Sequence, residues 1–127
     1  MFIDIHGHAY RYTYPLPDGR QAFITPEQLL KRYDESGIDI GVILPLVSPE
    51  LYLPQSVGEI IDVANQSKGR FIPFCNLDPR VISNSPDTPL EYLLRYYRDQ
   101  GCRGIGEVLP QMDMADPKML NLCKHTE

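Results

Sequence analysis

The sequence has no tryptophan, and only three histidines and three cysteines in 127 residues. Cys75, Cys102 and Cys123 are odd in number and show no paired spacing. That argues against a disulfide framework and for a reducing, cytoplasmic setting. No apolar run approaches the roughly 20 residues a membrane span needs, so no membrane partner is expected. The opening Met1-Phe2-Ile3-Asp4 lacks the basic start and long apolar core of a secretory signal. Positive charge is scarce: 12 basic residues stand against 17 acidic ones, for a net charge of −5. With no basic stripe interleaved with aromatics, nucleic acid is not the expected partner. A glycine-rich phosphate loop is also missing. Gly104 and Gly106 are spaced as glycine-x-glycine, but they lie in a predicted strand rather than at a helix start, so the dinucleotide fingerprint fails. There is no low-complexity tract.

What is present suits one ordinary folded domain, with 43% hydrophobic residues to build a core. Helix starts are the clearest local signals. Thr25-Pro26-Glu27-Gln28 combines a capping threonine, proline at the first helical position and glutamine three residues after the cap. Thr88-Pro89-Leu90-Glu91 repeats the design, Ser56 to Glu59 forms another capping box, and Asp116-Pro117 marks a fourth start. Apolar stripes at helical spacing follow: Leu29, Leu30 and Tyr33; Val57, Ile60, Ile61 and Ala64; Leu90, Leu93, Leu94 and Tyr97. Gly37, Gly69 and Gly101 sit where C-terminal caps are expected.

Short apolar runs at residues 2–5, 40–44, 71–75 and 103–108 separate the helices. The run at 40–44 is continuous rather than alternating, as in a strand covered on both faces. The order β-α-β-α-β-α-β-α, with strand starts near residues 2, 40, 71 and 103, matches the size of βαβ units and implies a parallel α/β sheet. Two proline-rich stretches, 14–17 and 79–89, read as loops after the first and third strands.

The chemistry gathers at strand ends. In Asp4-Ile5-His6-Gly7-His8, period-two alternation places Asp4, His6 and His8 on one face. Two imidazoles two residues apart can both reach one metal ion, and Gly7 permits tight backbone geometry between them. The alternative is a pair of surface histidines. Glu107 ends the fourth run, on the same C-terminal edge where ligands gather in α/β folds. It can bind or bridge metal, act as a general base, or simply be a solvated or helix-capping glutamate. Asn76 and Asp78 follow the third strand. They can contact substrate, although Asn-x-Asp-Pro more often serves as turn chemistry. Tyr10, Arg11, Tyr12 and Tyr14 crowd the first loop, where they can line a substrate pocket and hold a carboxylate, cover the mouth of the fold, or form a subunit contact. His125 reads as a surface residue away from this edge. Cys75 reads as a small buried apolar side chain with no histidine or aspartate nearby to make it a nucleophile.

The segment Phe2-Ile3-Asp4-Ile5-His6-Gly7-His8 resembles the first-strand signature of the amidohydrolase superfamily, and Gly104-Ile105-Gly106-Glu107 resembles its fourth-strand segment. The chain most resembles the amidohydrolase-2 type of metal-dependent hydrolase and decarboxylase. The TatD-type deoxyribonucleases are near cousins, and histidinol-phosphatase-like barrels share the His-x-His strand. The resemblance implies a (β/α)8 barrel, of which this chain carries the parallel (β/α)4 N-terminal half. It implies that His6 and His8 ligate a divalent metal, zinc or else manganese, with Glu107 as the fourth-strand carboxylate. It also implies a small-molecule carbonyl substrate (an amide, a lactone or a carboxylated ring) attacked by metal-activated water. Non-oxidative decarboxylation and phosphoester or nucleic-acid hydrolysis are the alternatives.

The family takes two further histidines and an aspartate from strands five, six and eight, and a typical barrel needs about 250 residues. A half-barrel of 127 residues is therefore expected to bind metal weakly and to be inactive alone, as a fragment or an interaction module. Its open edges are expected to drive self-association.

Overall fold

The computed structural model describes residues 1–13, 15–50 and 55–126. Its described elements run β1 (Ile3–Gly7), α1 (Pro26–Ser36), β2 (Ile40–Ile43), α2 (Val57–Gln66), β3 (Phe71–Pro73), α3 (Glu91–Asp99) and α4 (Pro117–Lys124). The three strands form one open parallel sheet in the order β1-β2-β3. Each strand pair is joined through a helix, as parallel pairing requires.

The predicted helix starts mostly hold. The Thr25 side chain accepts the Gln28 N–H while the Gln28 side chain accepts the Thr25 N–H, a complete capping box with Pro26 in the first turn. Ser56 accepts from Glu59 N, and Asp116 accepts from Lys118 N. Thr88 does not cap α3. It is buried in the preceding loop, where its hydroxyl meets Ser83 Oγ at 2.6 Å and the Ser85 carbonyl at 2.8 Å, and α3 begins later without a side-chain cap. A short hydroxyl that can bond its own loop competes with the cap, and here the loop wins.

The largest core cluster lies between the sheet and α1 and α2. It includes Ala9, Leu29, Tyr33, Ile43, Ile60, Val63 and Phe71. β2 is covered as its continuous apolar run predicts, with Gly41, Val42 and Ile43 all buried. Gly41 is glycine because the Tyr33 ring lies across the strand: a Cβ there would come within 2.3 Å of the ring. A second cluster, built on Leu77, Leu90, Met119 and Leu122, joins the long loop to α4.

The predicted fourth strand at 103–108 is reduced to one isolated parallel bridge, Cys75 with Ile105. Three backbone bonds hold it beside β3: Arg103 N to Pro73 O at 2.9 Å, Cys75 N to Gly104 O at 2.9 Å, and Gly106 N to Cys75 O at 2.8 Å. The two glycines explain both the close approach and the short pairing. A Cβ on Gly104 would meet the Phe74 ring at 2.4 Å, and one on Gly106 would meet Leu44 at 2.6 Å. Glycine fits where side chains cross the backbone, but it stiffens a strand poorly.

β1 is a sheet edge with apolar residues in solvent: Phe2 is 73% exposed and Ile5 77%. Ile3 and Met1 are exposed as well.

Candidate metal centre

A β-bulge decides where the first-strand side chains go. Ile3 pairs with Ile40 and Asp4 with Gly41, but the next partner pair is Gly7 with Ile43, so β1 spends one residue more than β2. The strict alternation expected for Asp4, His6 and His8 is broken. Asp4 turns toward α1, where Tyr33 donates its hydroxyl to Asp4 Oδ2 at 2.7 Å. The other carboxylate oxygen accepts the His6 backbone N–H at 3.1 Å. Burial and this bond together push the Tyr33 phenol well above its ordinary pKa, so it stays a donor. Asp4 is thus a support for the strand end and not a member of the histidine cluster.

His6 and His8 do come together with Glu107. The two Nε2 atoms are 3.0 Å apart. His6 Nε2 lies 3.5 Å from Glu107 Oε1, and His8 Nε2 lies 3.5 Å from Glu107 Oε2. One ligand atom from each residue falls within a 4.8 Å span. His8 and Glu107 are partly shielded, whereas His6 is 54% exposed, so the cluster opens to solvent on the His6 side.

The donor set fits a divalent cation. Zinc–nitrogen and zinc–oxygen bonds of about 2.0–2.2 Å in a tetrahedron put neighbouring ligand atoms roughly 3.3–3.5 Å apart. The separations here are 3.0, 3.5 and 3.5 Å. Two histidines and a glutamate also form one of the recurring catalytic zinc sets, which leave a fourth position open. His8 is oriented for the task. Its Nδ1 lies 2.9 Å from the Leu44 carbonyl, which can only accept, so Nδ1 carries the proton and Nε2 presents its lone pair to the cluster.

Glu107 is positioned through its backbone. Asn76 donates its side-chain N–H to the Glu107 carbonyl, and the Glu107 N–H reaches the Pro45 carbonyl at 3.5 Å. Asn76 is buried. Its side-chain N–H is thereby engaged on the peptide that carries the carboxylate. The sequence offered Asn76 only as a weak substrate contact or a turn residue. The sign that it braces Glu107 would have been its place directly after β3, the nearest neighbour of the segment carrying that carboxylate. Asp78 does serve the turn, accepting the Arg80 N–H at 2.8 Å and pairing with the Arg80 guanidinium at 2.6 Å.

The first-loop residues do not line the cluster. Tyr10 is fully buried, stacked on Phe23 at 4.3 Å and packed with Leu46 and Leu109. An aromatic ring this close to the sheet edge is recruited into the core rather than left at the pocket mouth. Arg11 donates its backbone N–H to Glu59 at 2.9 Å and sends its guanidinium toward Asp62 on α2, 3.9 Å away. The two acidic residues of α2 draw it off the edge. Tyr12 is exposed, and Tyr14 lies outside the described residues. His125 caps the C-terminal end of α4 and lines a cavity between α3 and α4, away from the cluster. Cys75 is buried as expected.

No helix among the described residues is long and apolar enough to cross a membrane. A scan against protein-family models finds no match for the sequence, and a search of curated proteins finds none. Among solved structures, the chain is similar to a probable 2-pyrone-4,6-dicarboxylic acid hydrolase from Acinetobacter baumannii, determined with citric acid bound. The match has a TM-score of 0.63 at 15% identity and covers 98% of this chain but only 45% of that one. At this identity the likeness is one of fold alone, and the chain spans less than half the length of that hydrolase.

Proposed function

We infer that this chain is the N-terminal (β/α)4 half of a metal-dependent hydrolase barrel of the amidohydrolase type, with His6, His8 and Glu107 as its share of a divalent-metal site. The observation that carries the reading is the convergence of two imidazole Nε2 atoms and one carboxylate within 4.8 Å at the C-terminal sheet edge. Zinc fits the nitrogen-rich donor set best, with manganese the alternative. A bound cation supplies Lewis acidity, polarising a carbonyl and lowering the pKa of water toward about 7.

The chain's own groups have separate tasks. His8, with Nδ1 tied to Leu44, gives a fixed lone pair. His6, more exposed, completes the nitrogen pair. Glu107 either ligates with one oxygen or takes a proton with the other. The matching substrate is a small carbonyl compound. The pyrone ring named for the similar structure is a cyclic ester, which belongs to that class. Completing the pocket requires groups from outside this half, so we expect the chain alone to be inactive and to associate through its open edges.

Zinc titration by calorimetry tests the metal assignment. One weakly held zinc per chain is expected for the natural sequence and none for the His6→Ala/His8→Ala double variant. Equal zinc binding by both would overturn it.

A second reading uses the same residues without metal. The 3.0 Å contact between His6 and His8 is a hydrogen bond in its own right, and Glu107 lies within ion-pair range of both rings. Such a cluster can move protons unaided. Absence of zinc binding by the natural chain would favour it.

A further inference from the structure

Cys75 and Cys102 come from different segments, yet they meet. With Val57 they form one buried cluster, and both line a cavity of about 370 Å³ between α3 and the end of α4. Arg95, Arg98, Arg103 and His125 stand around the same cavity. Among the described residues no hydrogen bond or ion pair engages the Arg103 side chain, while Arg95 is paired with Glu91 and Arg98 with Asp99. Both thiols are buried within that one cluster. Cys75 donates its S–H to the Gly104 carbonyl at 3.5 Å, two residues beyond Cys102.

Their surroundings make the thiols unequal. The neighbouring Cys75 thiol, with Arg103 adding its charge, lowers the Cys102 pKa against the cost of burial. The proximity of Cys102, together with burial, raises that of Cys75. A cavity that Glu91 also lines but where, among the described residues, Arg103 is left unpaired, with a thiolate-prone cysteine and a second thiol in the same cluster, is a setting in which oxidation is site-selective.

We propose that Cys75 and Cys102 form a reactive dithiol, open to small disulfides through the arginine-lined cavity and convertible to an intramolecular disulfide. In the first step the Cys102 thiolate attacks one sulfur of a low-molecular-weight disulfide, RSSR. A Cys102–SR bond forms, the S–S bond breaks, and RS⁻ leaves and takes up a proton. In the second step Cys75, giving its proton to solvent, attacks the Cys102 sulfur. The Cys75–Cys102 bond forms and a second RS⁻ leaves. The two protein thiols are oxidised by two electrons, and RSSR is reduced to two RSH. Nothing in this step uses the histidine cluster.

The test uses the full chain carrying Cys123→Ser, which removes the exposed thiol. It is incubated with oxidised glutathione and read by intact mass and peptide mapping. The expected product has lost two hydrogens, carries no glutathione and yields a peptide pair cross-linked through Cys75 and Cys102. Adding Cys75→Ser should trap a stable glutathione adduct on Cys102. Two unreacted thiols, or a glutathione adduct that persists while Cys75 is present, would overturn the proposal. Timed iodoacetamide labelling of the Cys123→Ser protein gives an independent reading. Cys102 should label at least ten-fold faster than Cys75, and equal rates would contradict the assignment.

Discussion

Asn76 never touches the cluster atoms, yet its side chain fixes the peptide that carries Glu107. Groups that orient a metal ligand from behind typically change metal affinity by about 10–100-fold when lost. Asn76→Ala should therefore weaken zinc binding roughly ten-fold or more while circular dichroism stays unchanged, and unchanged affinity would remove Asn76 from the site. Tyr33→Phe deletes the bond to Asp4 and should cost about 1–2 kcal/mol in urea denaturation. At this scale the sequence was legible where spacing alone decides. His6, Gly7 and His8 lie on consecutive positions of one strand end, and their proximity follows from that. The roles of Asp4, Tyr10 and Arg11 were not legible, because each depends on a partner brought from afar: Tyr33 for Asp4, Phe23 and Leu46 for Tyr10, Asp62 for Arg11. The Cys75–Cys102 contact was hidden for the same reason, since 27 residues separate two thiols that the chain path brings together.

Helices α1, α2 and α4 announced themselves through caps that act within four residues, which is why the sequence placed them well. The strand boundaries depended on neighbours. The bulge in β1 and the shrinking of 103–108 to a single bridge both come from what lies across the backbone. Gly104→Ala drives a Cβ into the Phe74 ring and should lower stability by about 1–3 kcal/mol, measured by chemical denaturation. It should also weaken zinc binding, because the segment leads directly to Glu107.

The loop after β3 depends on charge. Arg80 holds the Asp78 carboxyl below its usual pKa through a direct hydrogen bond, and it does the same for Glu50. A depressed carboxylate pKa gives stability that is present above the unfolded value near 4 and is lost as pH falls through the lower folded value. The natural protein should therefore be more stable than Arg80→Met at pH 7. That advantage should shrink steadily below about pH 4 in parallel denaturation series. A difference independent of pH would show that the pairing contributes nothing.

For the molecule as a whole, among the described residues three strands leave β1 with no partner on its outer side, and Phe2, Ile3 and Ile5 face solvent. An edge of this kind pairs with another chain unless charge or cover prevents it. Light scattering should show mass rising with protein concentration, and Phe2→Lys/Ile5→Lys should return the monomer. A monomeric natural chain at high concentration would contradict pairing through this edge. The repeating β-α order made the parallel α/β architecture readable from sequence. The chain spans 45% of the length of the similar hydrolase.

The proposed centre has His6, His8 and Glu107 holding one divalent cation in a four-coordinate setting. Cobalt(II) substitution followed by visible absorption tests it most directly, because the band intensity reports the geometry and the titration endpoint reports the count. Intense visible bands saturating at one cobalt per chain are expected, abolished in His6→Ala/His8→Ala and weakened in Glu107→Gln. Identical spectra for the natural chain and the double histidine variant would contradict it.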